Sequence, residues 1–403
     1  MSSVTLQSIE AARQRIKGII YHSPCPYSLS LSKMCGCEIY CKLDHLQMTG
    51  SFKERGARNK LMQLTDSEKA RGVIAASAGN HALALAYHGR DLGMKVTVVM
   101  PVWAPLVKVS NCRNFGANVI LHGDSFDAAR AYANQLRDEK SLVYVHGFDD
   151  PDIIAGQGTV GLEILEDVPD PDAVIVPVGG GGLIAGVARA IKSIRPQTRI
   201  IGVEPKHAPT LQASLKAGKV TRIETRPTLA DGLAVAEVGK LCFEIARELV
   251  DELVMVDEAQ IAMSILRLLE HEKMVVEGAG AVPLAAVMGK TLGLEGKKVV
   301  LVLCGGNIDV TMLSKIIERG LAADGRLCRL TASISDRPGG LAKIAAIIAA
   351  AGASVKDINH DRNFGPADVS NVNVDIVLET RDFDHIAQIK KTLAEAGVDA
   401  KFV

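Results

Sequence analysis

Short apolar runs alternate with segments of helical periodicity through the middle of the chain. Four strand-like runs, GVIAAS, KVTVVM, NVILHG and SLVYVH, lie between residues 72 and 146, separated by helical segments such as NHALALAYHGRDLG. A second series, DAVIVPV, RIIGVEP and KKVVLVLCGGN, lies between residues 172 and 307. This alternation is typical of helices packed on a mainly parallel sheet. The pattern predicts two α/β layers whose facing strand ends form a cleft.

The pattern changes near residue 327. Residues 327–403 read strand, helix, strand, strand, helix, strand. CRLTASIS and SNVNVDIVLE alternate between apolar and polar positions, while PGGLAKIAAIIAAAG places Leu341, Ile344 and Ile348 at helical spacing. The tail is therefore predicted to be a separate α+β domain of the split βαβ kind.

Composition and charge narrow the class of partner. The chain has 403 residues, 48% of them apolar, and 46 Lys plus Arg balance 46 Asp plus Glu. We therefore expect two or three domains, no nucleic acid and no membrane as partners, and small molecules or copies of the same chain instead. Glu10, Arg13 and Arg15 lie where a signal peptide needs an apolar core, which predicts a cytoplasmic protein.

The eight cysteines are predicted to be free thiols, because a long chain without a secretory signal has little need of a disulfide framework. Cys35, Cys37 and Cys41 cluster in CGCEIYC. No second Cys or His pair follows at zinc spacing, and Ile39, Cys41 and Leu43 alternate like one face of a strand. We therefore predict no metal site here.

The glycine-rich segment VPVGGGGLIAGVARAIK predicts a binding site for a phosphate group. A buried strand ends at Val178, a helix begins near Leu183, and the four glycines Gly179 to Gly182 lie between them. Glycines let the backbone approach an anion closely, and the N–H groups and dipole at a helix N-terminus favour negative charge.

The kind of phosphate is harder to read from this loop. A P-loop would have Lys-Ser or Lys-Thr after Gly186, and this chain does not, which excludes a nucleoside triphosphate site. Gly180, Gly182 and Ala185 fit the dinucleotide pattern G-x-G-x-x-A, and Glu204 lies where a ribose-binding acid is expected. The loop alone is therefore compatible with a nicotinamide-dependent enzyme.

Three further segments favour a different cofactor. AASAGNHALAL places Ser77, Asn80 and His81 at another strand-to-helix junction, which suits a carboxylate or another small polar group. VLCGGN ends a strand at Cys304, and SFKERGA carries Lys53 at the start of a helical segment. A hydride-transfer site has no evident use for a lysine, a carboxylate cradle and a thiol together, whereas a pyridoxal phosphate site uses all three.

Seven motifs also occur in the order found in the fold-type II pyridoxal-phosphate enzymes: SFKERGA, SAGNHA, AGQGT, GGGGL, ADGLAV, EGAGAVPLAA and CGGN. The chain most resembles the threonine dehydratases (threonine ammonia-lyases), with serine dehydratases and serine racemase as near relatives. SISDRPGGLAKIAAII in the tail resembles an ACT-type regulatory domain. The resemblance implies a large cofactor-binding α/β domain (residues 1–51 and 156–320), a small α/β domain (52–155) and an ACT-like βαββαβ domain (327–403).

The resemblance also implies roles for individual residues. Lys53 would bind pyridoxal 5'-phosphate as a Schiff base and move the substrate proton, Phe52 would pack against the cofactor ring, and Asn80 would contact the ring hydroxyl. Cys304 would meet the pyridine nitrogen. The cofactor phosphate would be held by Gly179, Gly180, Gly181 and Gly182, and the substrate carboxylate by the loop of Ser77, Ala78, Gly79, Asn80 and His81.

The implied reaction is the β-elimination of L-threonine to 2-oxobutanoate and ammonia, as in isoleucine biosynthesis, with L-serine to pyruvate as a second reaction. A homo-oligomer of two or four chains is implied as well. A neutral thiol, with an ordinary pKa of about 8.5, donates only weakly to the pyridine nitrogen, which disfavours a long-lived carbanion and suits prompt loss of a β-substituent.

Other functions remain open at this point. Serine racemase uses a second base, a serine, at the position that Ala78 occupies here, so racemisation is expected to be minor. β-Replacement of the cysteine synthase kind, an amino-acid sensor without catalysis and the nicotinamide-dependent enzyme are the further alternatives.

The resemblance to an ACT-type domain implies a binding site for an effector in the tail. Pro338 is predicted to lie in the first turn of a helix capped by Ser335 or Asp336, and the turn of Asp336, Pro338 and Gly339 would receive the carboxylate of an allosteric effector.

Some relatives bind a divalent cation near VEPKHAPT. This chain keeps Glu204 but has Thr210 in place of the second acid, so no tight magnesium site is predicted, and a monovalent ion is left open.

Overall fold

The computed structural model describes residues 3–361 and 370–402. The chain divides into two compact units, Met1–Ile308 and Asp309–Val403. The strands are β1 (Tyr27–Ser28), β2 (Glu38–Lys42), β3 (Val73–Ala76), β4 (Val96–Met100), β5 (Asn118–Leu121), β6 (Val143–Tyr144), β7 (Ala173–Pro177), β8 (Arg199–Pro205), β9 (Glu252–Val256), β10 (Lys298–Val302), β11 (Leu327–Ser335), β12 (Ser354–Asp361), β13 (Asn371–Glu379) and β14 (Ala400–Phe402).

Helices connect most of these strands. They are α1 (Leu6–Ile16), α2 (Leu29–Cys35), α3 (Lys53–Met62), α4 (Asp66–Arg71), α5 (Asn80–Asp91), α6 (Leu106–Asn114), α7 (Phe126–Lys140), α8 (Pro151–Asp167), α9 (Gly182–Ile194), α10 (Thr210–Ala217), α11 (Lys240–Leu249), α12 (Glu258–Arg267), α13 (Gly278–Met288), α14 (Val310–Ala323), α15 (Gly340–Ala350) and α16 (Phe383–Glu395). Among the described residues, no helix combines the length and apolar character needed to cross a bilayer.

The first unit contains two sheets within the described residues. One has the strand order β1-β2-β10-β7-β8-β9, and the other β5-β4-β3-β6. All neighbouring strands in them are parallel except β1 and β2. Every residue of β3 and β7 is buried, as expected of parallel strands covered on both faces. The two predicted α/β layers are confirmed.

The second unit is built on an antiparallel sheet with the order β12-β13-β11-β14 in the described residues. Along β13, Val372, Val374, Ile376 and Leu378 are buried, while the residues between them are partly exposed. These side chains pack with apolar residues of α15 and α16. The predicted order of strands and helices in the tail is confirmed.

Two details of the tail differ from the sequence analysis. Helix α14 groups with the second unit and packs against β11, so the boundary between the units falls at Ile308 and Asp309, earlier than the predicted end at 320. The prediction that Pro338 opens a helix capped by Ser335 or Asp336 is wrong. Ser335 ends β11, and α15 begins only at Gly340.

Backbone geometry explains this later helix start. Gly339 occupies the N-cap position with φ of +95°, a left-handed conformation that glycine adopts without strain, and no side chain caps the helix. The N–H of Gly340 donates to the carbonyl oxygen of Arg337, closing a turn through Pro338. The N–H of Asp336 donates to the carbonyl oxygen of Ser370.

Candidate active site

Lys53 is the first residue of α3 and lies beside the end of β10. Ser51 forms a β-bridge with Gly305, and the N–H of Phe52 donates to the carbonyl oxygen of Cys304 at 3.0 Å. The Nζ of Lys53 donates to the carbonyl oxygen of Gly147 at 2.7 Å. The backbone thus brings the predicted lysine and the predicted thiol into one site.

Burial changes the acidity of the lysine. Loss of solvation lowers the pKa of Lys53 from 10.5 to about 8, against a smaller opposing influence of Cys304, Cys242 and Glu277. Such an amine is partly neutral near physiological pH, and only the neutral form can attack a carbonyl group or remove a proton.

The four glycines form a closely packed cradle before α9. A Cβ atom on Gly180 would lie 2.3 Å from Cδ1 of Phe148, and one on Gly179 would lie 2.9 Å from Cα of Leu233. Gly181 has φ of +92°, and α9 begins at Gly182. The first N–H groups of a helix have no partner within it, so this cradle has the geometry that a phosphate group needs, and its role as the phosphate site stays a prediction.

The loop after β3 offers mainly its backbone and one hydroxyl. The Oγ of Ser77 accepts the N–H of Gly79 at 3.3 Å, and α5 begins at Asn80, two residues after Ala78. The ring of His81 is buried, and its Nε2 lies 3.0 Å from the carbonyl oxygen of Val145. Burial and the nearby Lys53 lower the pKa of His81 to about 3, so its ring is neutral.

Cys304 is almost fully buried at the end of β10. Burial, followed by the nearby Glu277 carboxylate, raises the pKa of the Cys304 thiol well above its ordinary value. The thiol is therefore neutral. It suits a ring nitrogen that carries no proton, because a thiol can donate only a weak hydrogen bond.

The sequence analysis assigned no role to Glu277 and Asn307. Asn80 Nδ2 donates to Glu277 Oε1 at 2.8 Å, and Asn307 Nδ2 donates to Asn80 Oδ1 at 2.9 Å. Burial raises the pKa of Glu277 to about 7. Both residues belong to quoted motifs, EGAGAVPLAA and CGGN, but they lie 197 and 227 residues from Asn80, a distance that no local pattern bridges.

The segment HGFDD, residues 146–150, was also missed, although it links several parts of the site. Gly147 accepts the hydrogen bond of Lys53, and Phe148 packs on the glycine cradle. The Asp149 carboxylate accepts the N–H groups of Lys240 and Leu241 at the start of α11, both at 2.9 Å. The available signal was a polar segment directly before the first residue of α8, Pro151.

The structure removes the basis for a dinucleotide site. Glu204, the predicted ribose-binding acid, is fully buried in β8, and its carboxylate accepts the N–H groups of Leu211 and Gln212 at 2.7 and 3.0 Å. Burial raises the pKa of Glu204 to about 7, against these hydrogen bonds. Both carboxylate oxygens are thus committed to the first turn of α10 and are unavailable to a ribose.

Two predicted groups remain, the residues of the cation site and those of the effector site. Thr210 donates from Oγ1 to the carbonyl oxygen of Val235. In residues 3–361 and 370–402, no three His, Cys, Asp or Glu side chains come together as a metal ion requires. Asp336, Pro338 and Gly339, the predicted effector residues, belong to the second unit.

Comparison with known proteins agrees with this geometry. The model of the family "Pyridoxal-phosphate dependent enzyme" matches residues 16–305. The L-threonine ammonia-lyase of Thermotoga maritima is 46% identical over 400 residues, 99% of this chain and 100% of that protein.

Two solved structures are similar over more than three quarters of the chain. The processed form of threonine deaminase isoform 2 from Solanum lycopersicum has a TM-score of 0.75 at 38% identity, over 78% of this chain and 92% of that one. Serine racemase from Dictyostelium discoideum has a TM-score of 0.73 at 36% identity, over 77% and 100% of the two chains. The predicted fold class is confirmed, and the chain belongs to the family of pyridoxal-phosphate dependent enzymes.

Proposed function

We propose that this protein is an L-threonine ammonia-lyase, which converts L-threonine to 2-oxobutanoate and ammonia. The observation that carries the proposal is that Lys53, the glycine cradle and Cys304 lie together. They do so in a chain that is 46% identical, along 99% of its length, to a protein of that name.

The residues of the chain have distinct tasks in this reaction. Bound pyridoxal phosphate supplies the electron sink that makes the Cα proton of an amino acid removable. Lys53 Nζ takes that proton, because its pKa of about 8 leaves part of the amine neutral. The loop from Ser77 to His81 orients the substrate through its carboxylate, and the glycine cradle holds the cofactor phosphate. The weakly donating thiol of Cys304 favours elimination over transamination.

Racemisation is the nearest competing activity, because serine racemase shares the fold at 36% identity. Reprotonation on the opposite face of Cα needs a second base. Ala78, at the position where the racemase has its serine, carries no hydroxyl. Elimination is therefore the function that this site supports better.

Further parts of the proposal rest on composition and family resemblance. L-serine is a second substrate, converted to pyruvate, and the protein is a cytoplasmic homo-oligomer. A small carboxylate-bearing effector binds at the turn of Asp336, Pro338 and Gly339 in an ACT-like domain and regulates the enzyme.

The test is a product assay with purified protein. Protein supplied with pyridoxal phosphate and L-threonine is expected to release 2-oxobutanoate and ammonia in equal amounts. Lys53→Ala should abolish release. Lys69→Ala, which removes a lysine that pairs with Asp66 on helix α4, should retain it. Absence of a 2-oxo acid from the wild-type protein with both threonine and serine would refute the proposal.

A further inference from the structure

Three side chains from distant parts of the first unit form one hydrogen-bonded chain. Asn307 Nδ2 donates both to the carbonyl oxygen of Thr49 at 2.7 Å and to Asn80 Oδ1 at 2.9 Å. Asn80 Nδ2 donates in turn to Glu277 Oε1 at 2.8 Å. Asn80 opens α5, Glu277 precedes α13, and Asn307 follows β10.

The two ends of this chain determine the direction of every bond in it. A backbone carbonyl can only accept, so Asn307 must turn its NH₂ group towards Thr49. Because the second N–H of that group then faces Asn80, Asn80 must present Oδ1 to Asn307. Its Nδ2 consequently faces Glu277, whose carboxylate oxygen accepts. A reversed Asn80 amide would bring two donors together at one end and two acceptors at the other.

The backbone leaves room for this chain at two glycines. A Cβ atom on Gly305 would lie 2.2 Å from Glu277 Oε1 and 3.2 Å from Asn80 Nδ2. A Cβ atom on Gly50 would lie 2.5 Å from Asn307 Oδ1, and Gly50 also has φ of +75°. A side chain at either position would displace a member of the chain. The segments that carry Lys53 and Cys304 therefore have a glycine at each place where a side chain would collide with Asn80 or one of its partners.

We propose that Glu277 and Asn307 are positioning residues that fix the Asn80 amide so that it offers the remaining N–H of Nδ2 to the ring hydroxyl of pyridoxal phosphate. This inference rests on the proposed function and deepens it. Asn80 Nδ2 has two N–H groups, of which Glu277 uses one. A donor facing the ring hydroxyl oxygen favours its unprotonated form, whereas an amide oxygen in the same place would favour the protonated form.

The protonation state of that oxygen can be read from absorbance. The unprotonated form absorbs at about 410 to 420 nm, and the protonated form absorbs in the near ultraviolet, which is a property of the cofactor. Asn307→Asp replaces the NH₂ group of residue 307 by an acceptor oxygen, so the Asn80 amide is no longer held with Oδ1 towards residue 307. Glu277→Leu removes the acceptor at the other end, and Glu277→Gln keeps an acceptor oxygen of the same shape.

The experiment compares spectra of the cofactor-loaded proteins. Asn307→Asp and Glu277→Leu are expected to move at least about half of the long-wavelength absorbance to the near ultraviolet and to lower kcat/KM about tenfold, the effect of one hydrogen bond. Glu277→Gln is expected to restore the long-wavelength band. Asn59→Asp is the matched control, because Asn59 is a buried amide outside the site that donates to the backbone carbonyl oxygen of Asp152. The spectrum of this variant should match that of the wild type.

The outcomes separate the inference from the proposed function. A folded, cofactor-loaded Asn307→Asp or Glu277→Leu protein with a wild-type spectrum would overturn the inference and leave the function standing. If neither variant folds, the wild-type spectrum decides: a dominant near-ultraviolet band at neutral pH would contradict a donor at the ring hydroxyl, and a dominant long-wavelength band supports it. A wild-type protein that binds no pyridoxal phosphate would overturn the proposed function itself.

Discussion

Lys53 Nζ donates a hydrogen bond of 2.7 Å to the carbonyl oxygen of Gly147, which lies 94 residues further along the chain. The residue after Gly147, Phe148, packs directly on Gly180 of the phosphate cradle. The same loop therefore touches both the amine proposed to react and the glycine cradle proposed to hold the cofactor phosphate. Burial of Nζ in this arrangement lowers its pKa to about 8.

The first prediction concerns the pH dependence of cofactor binding. Only the neutral amine of Lys53 attacks pyridoxal phosphate, and its fraction grows as pH rises through the pKa. The attachment rate of added cofactor to cofactor-free protein should therefore rise with a midpoint near pH 8. Stopped-flow absorbance between about pH 6 and 10 measures this rate. A rate that still rises steeply at pH 10, as the ordinary lysine pKa of 10.5 would give, would contradict the lowered pKa of the buried amine.

The second prediction concerns the glycine cradle. Gly180→Ala places a methyl group against the Phe148 ring, at 2.3 Å before any adjustment. We expect a loss of about 1–3 kcal/mol in the free energy of unfolding, as in overpacked cores, together with weaker cofactor binding. Denaturant unfolding and cofactor titration measure the two effects. In a Phe148→Leu background the cost should fall, and equal costs in both backgrounds would show that the ring is not the obstacle.

Much of this site could be predicted from sequence because its main groups lie in local motifs. The glycines from Gly179 lie between a strand and a helix, Lys53 begins a helix, and Cys304 follows the end of a strand. Short patterns reveal places of this kind. Glu277 and Asn307 could not be assigned roles, because their task depends on Asn80 in another part of the chain. The glycine loop alone was ambiguous, and only the hydrogen bonds of Glu204 show that this acid caps α10.

The fold was predictable for a similar reason. Periodicity reports which faces are buried, so the fully buried β7 and the alternating β13 were both recognised. Turn geometry is less visible in sequence. Ser335 and Asp336 resembled helix caps, but the left-handed conformation of Gly339 delays α15 until Gly340. A pair of glycines permits several turns, and tertiary contacts select one of them.

The third prediction tests the buried ion pairs behind the lysine. Arg55, on the same helix as Lys53, is fully buried and forms paired hydrogen bonds of 2.6 to 2.8 Å with Asp44 and Glu163. Arg55→Leu leaves the buried Asp44 carboxylate without its paired cation, while Glu163 keeps its ion pair with Lys42. The change should lower the free energy of unfolding by about 3–5 kcal/mol.

The matched control for this change is Arg13→Ala, which breaks an exposed ion pair with Glu166. Its cost should be about 0–1 kcal/mol. Urea unfolding of both variants makes the comparison. Similar costs for Arg55→Leu and Arg13→Ala would show that the buried cluster does not stabilise the fold around Lys53.

The fourth prediction concerns the choice between elimination and racemisation. Ala78→Ser introduces a hydroxyl in the substrate loop, at the position where serine racemase has its second base. The rate of D-serine formation from L-serine should rise by about tenfold or more, since a positioned base contributes about 10²–10⁴ to a rate. Chiral chromatography of the product measures this rate, with Ala78→Gly as the control that adds no base. An unchanged rate would mean that the missing hydroxyl at position 78 is not what limits racemisation.

The central claim is that Lys53 holds pyridoxal phosphate and acts on L-threonine. The most direct test is the absorbance of the purified, cofactor-loaded protein at about 410 to 420 nm, where lysine-bound cofactor absorbs, before and after addition of L-threonine. We predict a band that shifts on addition while 2-oxobutanoate accumulates, and no such band in Lys53→Ala. A protein that stays colourless with added pyridoxal phosphate would contradict the account.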